Sequence, residues 1–153
     1  MIFLQASAVV IGGRALLIEG PPGSGKSSLA LALIDRGAGL IGDDAVTLEQ
    51  LGGALIASPP PNIAGLIEVR GVGLLRLAIA APAPVALMLA LGGEVPVRLP
   101  ETPLPTRSIG GVEVPVLAFD PGTIAPALRA EQALALHGIG ADTPSLSAAS
   151  GRQ

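Results

Sequence analysis

Residues 20–28, GPPGSGKSS, have the composition and spacing of a phosphate-binding loop. They fit the pattern G-x-x-x-x-G-K-[ST], in which glycines let backbone N–H groups turn inward toward phosphate oxygens. A helix that starts at the end of such a loop adds its free N–H groups and the positive end of its dipole. The lysine reaches the β- and γ-phosphates, and the next hydroxyl can ligate Mg²⁺. We therefore expect this segment to bind ATP and Mg²⁺ through Gly20, Pro21, Pro22, Gly23, Ser24, Gly25, Lys26, Ser27 and Ser28.

The alternative is an ordinary glycine-rich turn, since the chain contains 21 glycines. Two observations favour the phosphate loop. An apolar run precedes it and a helix pattern follows it. Lys26 is also the only lysine, and the other eight basic residues are all arginine. A single lysine at this position indicates a need for a compact ammonium group rather than a planar guanidinium.

Two pairs of charged residues are further candidates. Asp43 and Asp44 end a predicted strand that follows the loop helix. A carboxylate there could accept a proton or hold Mg²⁺. The alternative is that the aspartates form only an Asx turn that leads into the next hairpin. Neighbouring residues of a strand point to opposite faces, so only one aspartate should face the phosphate unless the strand ends there. Glu68 and Arg70 are two residues apart and should share one face of a strand. They could form a structural ion pair. Alternatively, Glu68 could be a metal ligand beside Arg70, which would stabilise the charge of a transferring phosphoryl group. His137 is expected only to stabilise a helix C-terminus.

The composition excludes several classes of protein. The 153 residues predict a single domain, 1–138, followed by a flexible tail, 139–153. The net charge of −3 argues against nucleic-acid binding, and the absence of cysteine excludes disulfides. The apolar stretch Leu77–Gly93 contains two prolines and suits two buried strands better than a membrane span. With no signal-peptide pattern, we expect a cytoplasmic protein without membrane contact.

The apolar periodicity predicts an α/β fold with more strands than helices. Gly-Gly pairs at 12–13 and 52–53 should close two hairpins, and a helix should span about 26–36. Segments 66–79, 84–91 and 112–119 should be strands, and 95–111 a proline-rich loop. A second helix should span about 124–137, started by Asp120-Pro121-Gly122.

Three motifs together resemble the catalytic domain of the HPr kinase/phosphorylase family. They are the loop GPPGSGKSSLAL, the IGDD after its helix and the segment IEVRGVG, and they cover residues 1–80 well. The resemblance implies a P-loop kinase fold related to PEP carboxykinase, with a mixed sheet, strand hairpins and few helices. It also implies a protein serine kinase of the phosphotransferase system, with the phosphocarrier HPr as partner and a homo-oligomer, hexameric in the family. The chain resembles the short form found in alphaproteobacteria.

The resemblance also assigns roles to the matched positions. Lys26 and Ser27 would bind phosphates and Mg²⁺, and Asp43 would be the general base. Asp44 and Glu68 would lie at the metal, and Arg70 at the active site. In a weaker match, Arg107 would correspond to an active-site arginine of the family.

One position departs from the family pattern. The family usually has a histidine fifteen residues before the first loop glycine, where this chain has Gln5. Glutamine cannot exchange a proton near neutral pH, so we expect inefficient phosphorylase activity. Two alternatives stay open: a phosphotransferase of the same fold with another acceptor, and a nucleotide-binding regulatory module without catalysis.

Overall fold

The computed structural model describes residues 1–140, so most of the predicted tail, residues 141–153, lies outside the described part. The described part contains eleven strands and two helices. The strands are β1 (Ile2–Leu4), β2 (Ser7–Ile11), β3 (Arg14–Glu19), β4 (Gly39–Gly42), β5 (Val46–Leu51), β6 (Ala54–Ser58), β7 (Leu66–Val69), β8 (Gly73–Arg76), β9 (Ala83–Ala90), β10 (Thr106–Ile109) and β11 (Val112–Ala118). The helices are α1 (Lys26–Asp35) and α2 (Pro126–His137).

Three hairpins of the sheet close through the same Gly-Gly turn. The pairs at 12–13, 52–53 and 110–111 all have positive φ at both glycines, between 57° and 83°. Such turns match the right-handed twist of the flanking strands and strongly favour glycine. The first two hairpins, β2–β3 and β5–β6, confirm the predictions. The third, β10–β11, lies partly in the segment predicted as a loop, so that prediction is wrong for residues 106–109.

Nine strands form one mixed sheet, in the order β1-β5-β6-β9-β3-β2-β4, with β11 beside the end of β9 and β10 beside β11. Strands β3, β9 and β11 are parallel to one another, and the other pairs are antiparallel. Since β4 and β3 both run antiparallel to β2, they point the same way. The prediction of a mixed α/β fold with few helices is confirmed.

Three details of the predicted elements are wrong. Residues 66–79 form a separate hairpin, β7–β8, with a turn at Gly71 (φ 80°), instead of one strand. Before Pro82 there is only an isolated bridge at Ile79, so the predicted pair of buried strands reduces to β9. Helix α2 begins at Pro126, because the Asp120 carboxylate accepts the Gly122 N–H within its own turn and does not cap the helix.

The core is made of aliphatic side chains on both faces of the sheet. On β3, Leu16 and Ile18 face a cluster that includes Leu29 and Leu33 of α1, whereas Leu17 faces the opposite cluster. All these side chains are almost completely buried. Burial of each contributes about 1.5–3 kcal/mol. The packing fixes α1, and with it the loop that precedes the helix, against one face of the sheet.

Candidate functional site

The carboxyl ends of the parallel strands meet at one edge of the sheet, beside residues 20–25, which we call the phosphate loop. The Leu91 N–H donates to the Glu19 carbonyl at 2.8 Å, and the Phe119 N–H donates to the Ala90 carbonyl at 2.9 Å. The chain leaving β4 reaches the same edge at Asp43. Ligands of α/β sheets bind at the carboxyl ends of the strands.

The phosphate loop has the backbone shape that the sequence pattern predicts. Gly23 and Gly25 have φ values of 82° and 100°, which favour glycine. A Cβ on Gly20 would lie 2.7 Å from the Leu91 carbonyl oxygen, so a side chain cannot fit there. Gly25 is the N-cap of α1 and provides no side-chain cap for the helix. The first N–H groups of the helix therefore remain available to an anion.

Lys26 lies within the loop with its side chain only 9% exposed. Its Nζ donates to the Gly20 carbonyl at 2.7 Å and lies 3.3 Å from Asp44 Oδ1. A nearly buried ammonium needs such partners, because desolvation of an unpaired charge is costly. The ammonium group is thus held between the start of the loop and the second aspartate.

Asp43 accepts three hydrogen bonds. Its Oδ1 accepts from Ser27 Oγ at 2.7 Å and from Ser7 Oγ at 3.0 Å. Within residues 1–140, its Oδ2 accepts one hydrogen bond, from the Glu68 N–H at 3.3 Å. The two oxygens therefore differ: Oδ1 is occupied by two hydroxyls, and Oδ2 has capacity for a further donor.

Asp44 lies on the same side as Asp43, because β4 ends at Gly42 and Asp44 adopts a left-handed conformation with φ of 62°. The alternation of a strand therefore does not apply to the two aspartates. The Asp44 N–H donates to Ser7 Oγ at 3.1 Å, and Gln5 Nε2 lies 3.5 Å from Asp44 Oδ2. Gln5 thus borders the site, as expected from its position in the sequence.

Glu68 and Arg70 lie across from the loop on the β7–β8 hairpin. Arg70 lies one residue past the end of β7 and still shares a cleft with Glu68. Among the ion pairs of residues 1–140, none is formed between Glu68 and Arg70. The cleft has a volume of about 360 Å³ and is lined by eleven of the thirteen predicted site residues, namely Pro21, Pro22, Gly23, Gly25, Lys26, Ser27, Ser28, Asp43, Asp44, Glu68 and Arg70.

Ser7 is a site residue that the sequence reasoning missed. It is fully buried at the start of β2, between the ends of β3 and β4, and its hydroxyl contacts both aspartates. The available signal was a hydroxyl within the apolar run of residues 6–11. Its partners are more than 35 residues away, so local spacing could not identify them.

Arg107 and His137 lie outside the cleft. Arg107 on β10 forms a two-pronged ion pair with Glu19, the residue before the loop, with N–O distances of 2.8 and 2.5 Å. The hydrogen bonds to Glu19 raise the pKa of Arg107. His137 lies in the last turn of α2, as expected, and borders a separate cavity of about 670 Å³ that contains none of the predicted site residues.

The fold and the cleft define a class: an α/β domain with a phosphate-binding loop at the carboxyl ends of parallel strands. The sequence profile of the HPr Serine kinase C-terminal domain matches residues 2–80, slightly more than half of the chain. The chain belongs to this family. Among the described residues, no helix is long and apolar enough to cross a membrane.

Relatives of known name agree with this assignment. The chain is 46% identical over 72 residues to an HPr kinase/phosphorylase of Clostridium botulinum, a match that covers 47% of this chain and 24% of that protein. It is 52% identical over 66 residues to the Cupriavidus necator protein of the same name, covering 42% and 20%. The chain thus matches about a quarter of the length of these relatives.

A solved structure extends the similarity beyond the first 80 residues. The Hpr(Ser) kinase/phosphatase of Coxiella burnetii superimposes with a TM-score of 0.72 at 31% identity. The match covers 86% of this chain and 93% of that one. The sheet and both helices therefore belong to a known arrangement of this family.

Proposed function

We propose that the chain is an ATP-dependent serine kinase that phosphorylates an HPr-like phosphocarrier protein. The observation that carries the proposal is the convergence of the phosphate loop with Asp43, Asp44, Glu68 and Arg70 on one cleft. Phosphoryl transfer needs little covalent chemistry from a protein and depends on positioning and charge. The names of the relatives support HPr as the acceptor.

In the proposed reaction, three side chains act on the transferred group. Asp43 accepts the proton of the serine hydroxyl at Oδ2, the oxygen that has capacity for another donor. Lys26 leaves the Gly20 carbonyl to contact the β- and γ-phosphates. Arg70, across the cleft, offsets the charge that spreads over the phosphoryl oxygens.

The cleft offers oxygen ligands, which suit Mg²⁺. Ser27, Asp44 and Glu68 would hold the ion, and all three line the cleft. Within residues 1–140, no three acidic, histidine or cysteine side chains are grouped so as to hold a metal by themselves. Such a set fits Mg²⁺, which usually keeps waters and shares phosphate oxygens instead of occupying an all-protein cage. When bound, Mg²⁺ would neutralise charge on the phosphates.

We further propose that the reverse reaction, phosphorolysis of the phosphorylated carrier, is inefficient. Gln5 occupies the position of the family histidine and reaches Asp44 at 3.5 Å. Its amide can donate a hydrogen bond but cannot take up and release a proton near pH 7. The contact supports a role at the site without proton exchange.

Several broader expectations belong to the same proposal. They are a fold relationship to PEP carboxykinase, a cytoplasmic location, one domain over residues 1–138, and a homo-oligomer, hexameric as in the family.

The decisive experiment incubates the protein with γ-labelled ATP, Mg²⁺ and HPr. Label should appear on a serine of HPr. Asp43→Asn should lower the transfer rate by about 10²-fold or more, because the general base is lost, while ATP affinity stays nearly unchanged. Asp35→Asn is the matched control, because Asp35 is exposed at the end of α1.

Other outcomes distinguish the alternatives. Transfer to an acceptor other than HPr would indicate a different phosphotransferase of this fold. ATP binding without transfer to any acceptor would indicate a nucleotide-binding module. Undiminished transfer by Asp43→Asn would exclude Asp43 as the base. A parallel reaction of phosphorylated HPr with inorganic phosphate measures the reverse activity.

A further inference from the structure

A second cavity lies against the phosphate loop on the side away from the aspartates. It has a volume of about 270 Å³, and we call it the loop–α2 pocket. Gly23, Gly25 and Ser28 line both this pocket and the catalytic cleft. The remaining wall includes Leu29 and the segment 120–126 before α2. The two spaces are therefore neighbours that share the loop.

The position of the pocket follows from the order of the strands. Along the carboxyl edge the neighbours are β4, β2, β3, β9 and β11. Asp43 follows β4 at one end of this row, and Asp120 follows β11 at the other, with the phosphate loop between them after β3. A triphosphate whose γ-phosphate lies near Asp43 must continue toward the β11 end, where the pocket begins.

The walls of the pocket suit a group that is less polar than phosphate. Pro121 and Pro126, which are partly exposed, provide apolar surface above the buried Leu29, and Asp120 provides a carboxylate at the rim. Ser24, which also lines it, has a buried hydroxyl without a hydrogen-bond partner in the described part of the chain. Ligand sites combine apolar walls with a few polar groups, and whole ligands occupy about 300–1,000 Å³. A pocket of 270 Å³ is thus suited to one part of a ligand.

The wall formed by residues 120–122 is held by hydrogen bonds from one side chain, which also holds the neighbouring Ile124. Arg129 of α2 donates hydrogen bonds to the carbonyls of Asp120, at 3.0 Å, of Ile124, at 2.9 Å, and of Pro121. Its guanidinium lies 4.9 Å from the centre of the Phe119 ring. Contacts within the chain thus fix the pocket wall, which reduces the conformational entropy lost when a ligand binds.

We propose that the loop–α2 pocket binds the nucleoside of the triphosphate whose phosphates lie on the loop. The inference rests on the proposed function, and it specifies where the base and ribose lie. The nucleoside packs on Pro121 and Pro126, beside the buried Leu29, and the phosphates pass Ser28 and Gly25 toward Asp43. The larger cavity beside Leu136 and His137 is the competing location.

The test compares ATP with tripolyphosphate by NMR on the unmodified, methyl-labelled chain. Both ligands should shift the amides of Gly23 and Lys26. Only ATP should shift the Leu29 methyl groups and the Gly122 amide. ATP-specific shifts at Leu136 in place of Leu29 would put the nucleoside in the larger cavity and overturn the proposal.

A variant gives a second measurement. Pro121→Trp should fill the pocket and weaken ATP binding at least about tenfold, because the nucleoside supplies most of the apolar contact area of the ligand. Tripolyphosphate affinity should change less than twofold. Val95→Trp is the control, as Val95 is 85% exposed and lies outside the pocket. Unchanged ATP affinity of Pro121→Trp, or equal loss for both ligands, would contradict the proposal.

The outcome can be separated from that of the kinase proposal. ATP-specific shifts at Leu29 without transfer to HPr would retain the pocket and refute the kinase. Transfer to HPr without such shifts would retain the kinase proposal and refute the pocket as the nucleoside site. Absence of ATP binding would refute both.

Discussion

The Ser7 hydroxyl donates a hydrogen bond to Asp43 Oδ1 at 3.0 Å and accepts one from the Asp44 N–H at 3.1 Å. One fully buried side chain thus fixes both aspartates. Because β2 lies between β3 and β4 in the sheet, its first residue lies between the phosphate loop and the aspartates. Ser7 is therefore a positioning residue for the proposed base.

Ser7→Ala should lower kcat by about 10- to 100-fold, because Asp43 loses an orienting contact. The Asp44 N–H would also lose its partner, which should reduce the free energy of unfolding by about 1–3 kcal/mol. Ser7→Thr, which keeps the hydroxyl, should retain more of the activity than Ser7→Ala. Steady-state kinetics of Ser7→Ala and Ser7→Thr, beside the exposed control Ser108→Ala, check this. A loss of stability with unaltered kcat in both variants would show a merely structural role.

Arg70→Gln should lower kcat by about 10²-fold, with a smaller effect on ATP affinity, because the guanidinium acts on charge that develops during transfer. Arg76→Gln is the matched control, since Arg76 is on the same hairpin but does not line the cleft. Steady-state kinetics of the two variants provide the comparison. Equal effects would indicate a general role of positive charge on the hairpin.

Arg107→Gln should leave phosphoryl transfer within a few-fold of the unmodified protein, because Arg107 pairs with Glu19 outside the cleft. The pair is partly exposed, so its removal should lower the free energy of unfolding by no more than about 1 kcal/mol. The hydrogen bonds to Glu19 raise the pKa of Arg107, so the arginine stays charged between pH 6 and 8, and on the alkaline side its contribution is lost only at extreme pH. Denaturation at pH 6, 7 and 8 should therefore show the same difference. A large loss of transfer would instead place Arg107 in the reaction.

Gln5→His should increase phosphorolysis, because imidazole can exchange a proton beside Asp44. The rate should change with pH around 6–7, near the usual pKa of histidine of about 6.5. Release of phosphate from phosphorylated HPr is the measurement, and Gln50→His, at an exposed position of β5, is the control. If the rate does not rise, the residue at position 5 does not limit the reverse reaction.

Local patterns predicted the features that depend on neighbouring residues. The phosphate loop, the start of α1 and two of the Gly-Gly hairpins followed from spacing alone, since each is fixed within about ten residues. The strand β10 was missed because the prolines around it indicated a loop. The separate β7–β8 hairpin could not be foreseen, because a short strand does not reveal which strand it pairs with.

In the candidate site, too, local patterns predicted individual residues but not the contacts between distant strands. The motifs placed Lys26, Asp43 and Glu68 in sequence, but their convergence depends on the sheet order. Ser7 was missed because its contacts connect strands far apart in the chain. The left-handed backbone at Asp44, which brings both aspartates to the cleft, also has no clear signal in the sequence. The roles of the site residues stay predictions until the variants are measured.

The hydrogen bond from Lys26 to the Gly20 carbonyl has a consequence for the energetics of binding. The loop itself supplies the lysine with a partner, and a phosphate that contacts the ammonium must replace that partner. Binding is then an exchange, in which the ammonium gains one contact as it loses another. The heat released on ATP binding should be correspondingly smaller than the new contacts alone suggest.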